Sequence, residues 1–280
     1  MKAYQAAYPV YTITRVLKAS ASGFYAWMKR SPSEHAQSDI LLGDRIEAIS
    51  RRSRSTYGRP RIHAEVEGIR ISGKRVARLM RNRSICGASR RKTTIMMIRD
   101  RDAKPAPDLV ERRFTADGPN QLWLTDITYV PTWSGFLYLT VVLDVFSRRV
   151  VGWAMADHMR KELVIGALDM AIFRRKPLAA VHHSDQGSQY TSITFAHRCK
   201  SAGIRPSMGT RDDCYDNAMC ESFNATPECE LLVKRRFRTQ REAEAAAFDF
   251  IEAWYNPHRR HSSLGYLSPI KYERRAQSVA

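Results

Sequence analysis

Leu122-Trp123-Leu124-Thr125-Asp126-Ile127-Thr128-Tyr129 is an apolar and β-branched run with one carboxylate in its middle. Such composition favours an extended strand, and aspartate is disfavoured inside one. A carboxylate buried there without compensation is expensive. A metal ion would offset that cost, so this stretch decides the fold class and also marks where chemistry should be sought. Working outward, Gln121 to Val130, Phe136 to Phe146 and Arg149 to Ala156 read as three successive strands. Pro131-Thr132-Trp133-Ser134-Gly135 joins the first two at hairpin length. A helix from Glu162 to Phe173, a strand from Ala179 to His183, a helix from Thr194 to Ala202 and a strand near Ile204 to Met208 follow. Helices at about Asp216 to Leu232 and Glu242 to Tyr255 complete the series. Three strands followed by alternating helix and strand predict an α/β domain with a mixed sheet.

The chain before this point has a different texture. Residues 1–113 carry 25 Lys/Arg and 10 Asp/Glu, a net of +15, whereas residues 114–280 carry 21 and 18, a net of +3. Tyr11 to Leu17 and Gly23 to Met28 read as two short helices, the second with Ser22 as its N-cap, joined by the turn Lys18-Ala19-Ser20-Ala21 as in a helix-turn-helix. Ser38 to Arg51 sets Ile40, Leu41, Ile46 and Ile49 on an amphipathic helix, and Ser72 to Met80 does the same with Val76, Leu79 and Met80 among basic residues. A solvated basic face is the plain reading of any one of these helices. The density of arginine over residues 51–61 and 70–92 favours phosphate contact for the set, with Arg59, Arg61, Lys74, Arg75 and Arg78 as the candidate DNA-binding residues. The expected division is a basic helical DNA-binding region at 1–98, a linker at 99–113 and the α/β domain at 114–280.

Composition narrows the function classes. A net charge of +18 points to a polyanionic partner, and 44% hydrophobic residues suffice for a packed core. The most apolar run, Phe136 to Phe146, is short and contains Asp144, far from the roughly 20 residues of a membrane span. No signal peptide is visible. The five cysteines form no CxxC pair, which argues against a zinc finger and against disulfides and fits a reducing cytoplasm.

Two further carboxylates stand out. Asp185 ends the strand Val181-His182-His183-Ser184 and opens a Gln186-Gly187-Ser188-Gln189 turn, and strand carboxyl ends are where α/β sheets bind ligands. Glu221 lies in the helix expected from Asp216, with Asn217 four residues earlier on the same face. Taken singly, Asp185 reads as a turn cap and Glu221 as a surface residue. His182 and His183 must point to opposite faces of their strand, so only one can approach such a site; His183 is the candidate. Tyr129 and Tyr190 lack the Arg-His-Arg setting of a tyrosine recombinase, and sheet packing is their expected role.

Together these motifs resemble a known pattern. Trp123 to Tyr129, His183 to Tyr190, Asp216-Asn217-Ala218 leading to Glu221-Ser222-Phe223, and Tyr255-Asn256-Pro257-His258-Arg259-Arg260-His261 are similar to the retroviral-integrase-like (DDE) transposases of bacterial insertion sequences, specifically the second-frame protein of the IS3 family. Upstream, Ser22 to Trp27 and Tyr57-Gly58-Arg59-Pro60-Arg61-Ile62 resemble that family's N-terminal region, and 35 residues separate Asp185 from Glu221. The resemblance implies a ribonuclease-H-like fold, with Asp126, Asp185 and Glu221 as catalytic residues holding two Mg²⁺ or Mn²⁺ ions for cleavage at transposon ends and strand transfer into target DNA. Hard oxygen ligands suit those ions, and two of them can serve an in-line displacement at phosphorus. Asn217, His183, Arg259 and His261 become candidates for second-layer support or DNA positioning, packing being the alternative for His183, Arg259 and His261.

The resemblance also implies an upstream-frame protein, or a frameshifted fusion with it, as partner. It further implies a homo-oligomer on DNA and a cytoplasmic, nucleoid-associated location. Two residues depart from the family pattern. Pro227 falls within the expected helix, and Glu228 stands where a basic residue facing the DNA end is usual. They keep open a second reading, a catalytically impaired DNA-binding remnant.

Overall fold

The structure, a computed structural model, describes residues 2–4, 6–66, 68–88, 106–110, 113–209, 226, 230–231 and 236–278. Among these, five strands form one mixed sheet in the order β3-β2-β1-β4-β5. β1 (Leu122–Thr132), β2 (Gly135–Asp144) and β3 (Val150–Ala156) make an antiparallel meander. β4 (Val181–Ser184) and β5 (Arg205–Met208) continue it in parallel with β1. This order and sense, with helices on both faces, is the ribonuclease-H-like layout. The strand boundaries fall within two residues of those expected, because period-two alternation and turn residues mark strands sharply.

The two faces have different covers. Trp123, Val142 and Val151 pack with α6 (Lys161–Arg175) and α7 (Ile193–Ser201) through Val164, Leu168, Ala171 and Phe195. On the reverse face, Val130, Leu137, Leu139, Val141 and Leu143 share a cluster with Phe250, Ile251, Trp254 and Tyr255, and also with Leu42, Ile46, Ile62, Val76 and Leu79. The last five come from α3 (Glu34–Arg52), α4 (Arg59–Glu65) and α5 (Gly73–Asn82), so the basic N-terminal helices and the sheet close over one core. Each aliphatic side chain fully buried there contributes about 1.5–3 kcal/mol.

Local structure corrects several expectations. α1 (Val10–Val16) precedes α2 (Ala21–Lys29), and the hydroxyl capping α2 belongs to Ser20, which accepts from Gly23 N at 3.2 Å. Ser20 is in extended geometry, whereas Ser22 already lies within the first turn. α3 begins one turn earlier than expected because Ser33 caps it through Ala36 N. The helix α4 was not among the expected elements; Pro60 occupies its first turn, where its missing N–H costs nothing. The expected helix Glu242–Tyr255 is α8 (Gln240–Phe248) followed by a π-helical stretch, Asp249–Tyr255, and a last turn Asn256–His258. Widening to i→i+5 bonds rotates the residues beyond α8, and Phe250, Ile251, Trp254 and Tyr255 are all buried. A helix at Pro269–Gln277, α9, was also not foreseen. The expected helix Asp216–Leu232 lies outside the described residues except at 226 and 230–231, and so does most of the linker.

Candidate functional site

Asp126 occupies the interval between two apolar clusters on one face of β1. Leu122 and Leu124 belong to the cluster with Val110 and Val145, and Val130 to the larger one beyond. Between them the carboxylate is 6% exposed, and its Oδ1 accepts a hydrogen bond from Ile127 N at 2.8 Å. The parallel pairing of β1 with β4 sets Leu124 opposite His183. Two residues further along come Asp126, within β1, and Asp185, the first residue beyond β4.

The turn after β4 is shaped around its carboxylate. Gly187 N donates to Asp185 Oδ1 at 3.1 Å. A Cβ on Gly187 would stand 3.1 Å from that same oxygen and 2.8 Å from Gln189 Oε1, so a side chain there would push on the Asp185 carboxylate and the Gln189 amide. Gln186 Nε2 donates to Gly209 O, and Gln189 Nε2 to Met159 O, fixing the turn against β5 and the approach to α6.

The histidines separate as expected. His183, on the carboxylate face, is buried, with Nδ1 3.0 Å from Ser207 Oγ and its ring edge-on to Phe114. His182 faces the other way, 2.7 Å from Thr125 Oγ1, and burial pushes its pKa down to about 4. Tyr190 is buried against Phe195 in the α6–α7 layer, a packing position.

Arg259 and His261 lie in a buried ionic cluster. The Arg259 guanidinium donates to Glu230 at 2.8 and 3.0 Å and to the His261 ring at 3.2 Å. Arg61 adds a second cation 3.6 Å from Glu230. Burial first, and Arg259 next, push the His261 pKa down to about 2, so its ring is neutral and can accept from Arg259. These are packing contacts. Glu230 was not singled out by the sequence reading, because one glutamate in a charged segment carries no signal.

In the N-terminal helices Arg59 and Lys74 are exposed. Arg75 and Arg78 both bond Asp39, at 2.8 and 2.7 Å, and the hydrogen bond from Arg78 leads in holding that carboxyl below its usual range. Glu221, Asn217, Pro227 and Glu228 lie outside the described residues.

Donor chemistry fits a divalent cation: two carboxylates, each bonded by a backbone amide. Among the described residues no group of three or more His, Cys, Asp or Glu could hold a metal ion.

Comparison with known proteins gives the class and then the family. Two family profiles described as "Integrase core domain" match residues 116–214 and 202–269, and one described as "HTH-like domain" matches residues 36–93. The chain therefore has an integrase core behind a helix-turn-helix-like region. That region spans α3 to α5, not the α1–α2 pair on either side of Lys18-Ala21 where the turn was expected.

The chain is 37% identical over 269 residues to "Insertion element IS600 uncharacterized 31 kDa protein" of Shigella sonnei, covering 95% of this chain and 99% of that one. It is 36% identical over 281 aligned positions to "Transposase InsF for insertion sequence IS3A" of Escherichia coli (strain K12), covering 96% of each. It belongs to the IS3 family of insertion-sequence transposases. Among solved structures, the catalytic core domain of HTLV-2 integrase in complex with magnesium aligns at 20% identity and a TM-score of 0.41, over 56% of this chain and 98% of that one. The chain is accordingly a DDE-type polynucleotidyl transferase acting in DNA transposition, and the remnant reading is not favoured.

Proposed function

We propose that Asp126, Asp185 and Glu221 form the catalytic set of this transposase. The observation that carries the reading is the β1–β4 register: Asp126 and Asp185 each come two residues after the Leu124–His183 pair. Two Mg²⁺ or Mn²⁺ ions, held by the three carboxylates, would activate the attacking oxygen and stabilise the leaving one. In the first step a water oxygen bonds to phosphorus at the transposon end, and the bond to the departing 3′-oxygen breaks. In the second, the freed 3′-hydroxyl bonds to a target phosphorus and the target's own 3′-oxygen leaves. The protein's part is to fix the carboxylates. The Ile127 and Gly187 amides orient two of them, and the packed sheet beneath keeps their spacing.

The finer features belong to the same proposal. Residues 1–98 dock DNA through Arg59 and Lys74 at least, 99–113 link, and 114–280 carry the chemistry. Asn217 and His183 support the site. The protein works as an oligomer on DNA with the upstream-frame product, in the cytoplasm. That no helix among the described residues is long and apolar enough to cross a membrane is compatible with this.

The test is a strand-transfer assay with transposon-end DNA. Asp126→Asn, Asp185→Asn and Glu221→Gln should each cut end cleavage and joining by more than about a hundredfold, while DNA affinity stays within about threefold. Joining retained by any one variant removes that residue from the set.

A further inference from the structure

The tip of the β1–β2 hairpin carries aromatic surface that the catalytic reading leaves unused. Trp133 is 73% exposed, Phe136 54% and Tyr129 36%, and the Tyr129 and Phe136 rings meet edge to face 5.6 Å apart. The tip is held in shape. Thr132 Oγ1 donates to Gly135 O at 2.6 Å, and Gly135 takes a φ of +115° that only glycine adopts without strain. A second segment braces it: Trp133 N donates to Phe237 O at 3.0 Å, and Phe237 itself is buried.

That brace is basic. Lys234-Arg235-Arg236-Phe237-Arg238 is followed by Arg241, and of these Arg236, Arg238 and Arg241 are described and exposed. The Arg238 guanidinium lies 5.9 Å from the centre of the Trp133 ring. Glu242 is the nearby acid, and it accepts from the Arg238 main-chain N–H. Exposed rings beside a run of cations are the combination that binds unpaired nucleic-acid strands, because bases stack on the rings while phosphates meet the cations. A duplex hides its base faces and would use only the cations. An apolar protein partner would have no use for the cations.

We propose that this hairpin tip binds an unpaired stretch of DNA beyond the metal site, with a base on Trp133 and phosphates on Arg236, Arg238 and Arg241. The inference rests on the strand-transfer reading and adds to it the form of DNA held beside the reaction. Trp133 lies about 23 Å beyond Asp126 along β1, at roughly 3.3 Å per residue, whereas Tyr129 and Phe136 project from the face opposite Asp126. The distance to Trp133 corresponds to about seven nucleotides at 3.4 Å each. A strand separated from its complement at the transposon end would be captured at that distance from the cleaved bond.

The test uses the full chain, EDTA to prevent cleavage, and fluorescence anisotropy with a roughly 12-nucleotide single strand and a duplex of the same sequence. Trp133→Ala should weaken single-strand binding by about tenfold or more and duplex binding by less than about twofold. Trp133→Phe keeps a stacking face and should stay within about threefold of the parent. Equal losses on both DNAs, or no loss, overturn the proposal, as does a loss of self-association in DNA-free sedimentation, which would make the tip a protein contact. Failure of the parent to bind either DNA would instead strike at the DNA reading itself, so the two failures are distinguishable.

Discussion

Trp123, Val142 and Val151 look into α6 and α7, helices that follow the meander directly in the chain. On the reverse of the same strands, Val130, Leu139 and Leu143 look into pieces drawn from residues 42–80 and 231–255. The first cover is local and almost entirely apolar. The second is assembled from the two ends of the chain and tied by ions: Arg61–Glu230–Arg259 within it, and Arg260 to Glu65 at 2.7 Å and Arg54 to Asp249 at 2.8 Å at its edge. Asp126, paired with Val141, lies on this second face. On the catalytic reading proposed above, the chemistry is set on the side whose cover depends on the whole chain, while the other side needs only its own neighbourhood.

The comparison can be broken most forcefully at Glu230. Glu230→Ala leaves Arg259 buried without its carboxylate and should destabilise the protein by about 3–5 kcal/mol in urea titration. Hydrogen exchange should quicken first in α8 and the Asp249–Tyr255 stretch, with α6 amides still protected. Replacing both partners, Glu230→Leu with Arg259→Met, should cost less than the single change. A uniform loss across both faces would show that the covers are not separate.

The apolar face has its own weakness, which is pH. His182 is buried, its pKa lowered to about 4, and its Nδ1 has no hydrogen-bond partner among the described residues. Because the folded value lies below the ordinary 6.5 of histidine, the unfolded chain takes up a proton first. Stability is full above pH 6.5, falls as pH drops from there to about 4, and changes no further below. Between pH 7 and pH 5 this amounts to about 2 kcal/mol, and His182→Phe should remove that share of the slope. His261, lowered to about 2, acts in the same direction on the other face and should leave a residual slope in the variant. A pH profile unchanged by the substitution would assign the sensitivity elsewhere.

The smallest effect sharpens the contrast. Tyr57 OH donates to His258 O at 3.3 Å and accepts from Arg260 N at 2.8 Å, joining the N-terminal helices to the C-terminal segment. Tyr57→Phe keeps the ring on Trp254 and should cost only about 1–2 kcal/mol. That loss should appear as a shifted urea midpoint, and a loss several times larger would mean the hydroxyl organises more than these two bonds.

How far the sequence could be read follows the same division. The meander, β4 and β5 were legible because alternation and turn chemistry are local, and Asp126 stood out because a carboxylate interrupts that alternation. Asp185 drew attention only because it ends a strand. Glu230 was not legible, since its partners lie 29 residues downstream at Arg259 and far upstream at Arg61. Arg75 and Arg78 looked like phosphate ligands by composition, and only tertiary packing could reveal Asp39 between them. The helix α4 was missed, although Pro60 in its first turn suits a helix start.

The bond from Arg260 N to Tyr57 also sets a schedule for synthesis, since it spans 203 residues. At roughly 5–20 residues per second, the N-terminal helices leave the ribosome about 10–40 s before the segment they must dock against exists. Through that interval Tyr57, Ile62 and Val76 lack the C-terminal part of their cover, while the α6–α7 face can already be closing behind them. The carboxylate face is therefore completed last. A nascent or truncated copy would hold its half of the sheet without the cover that finishes the site.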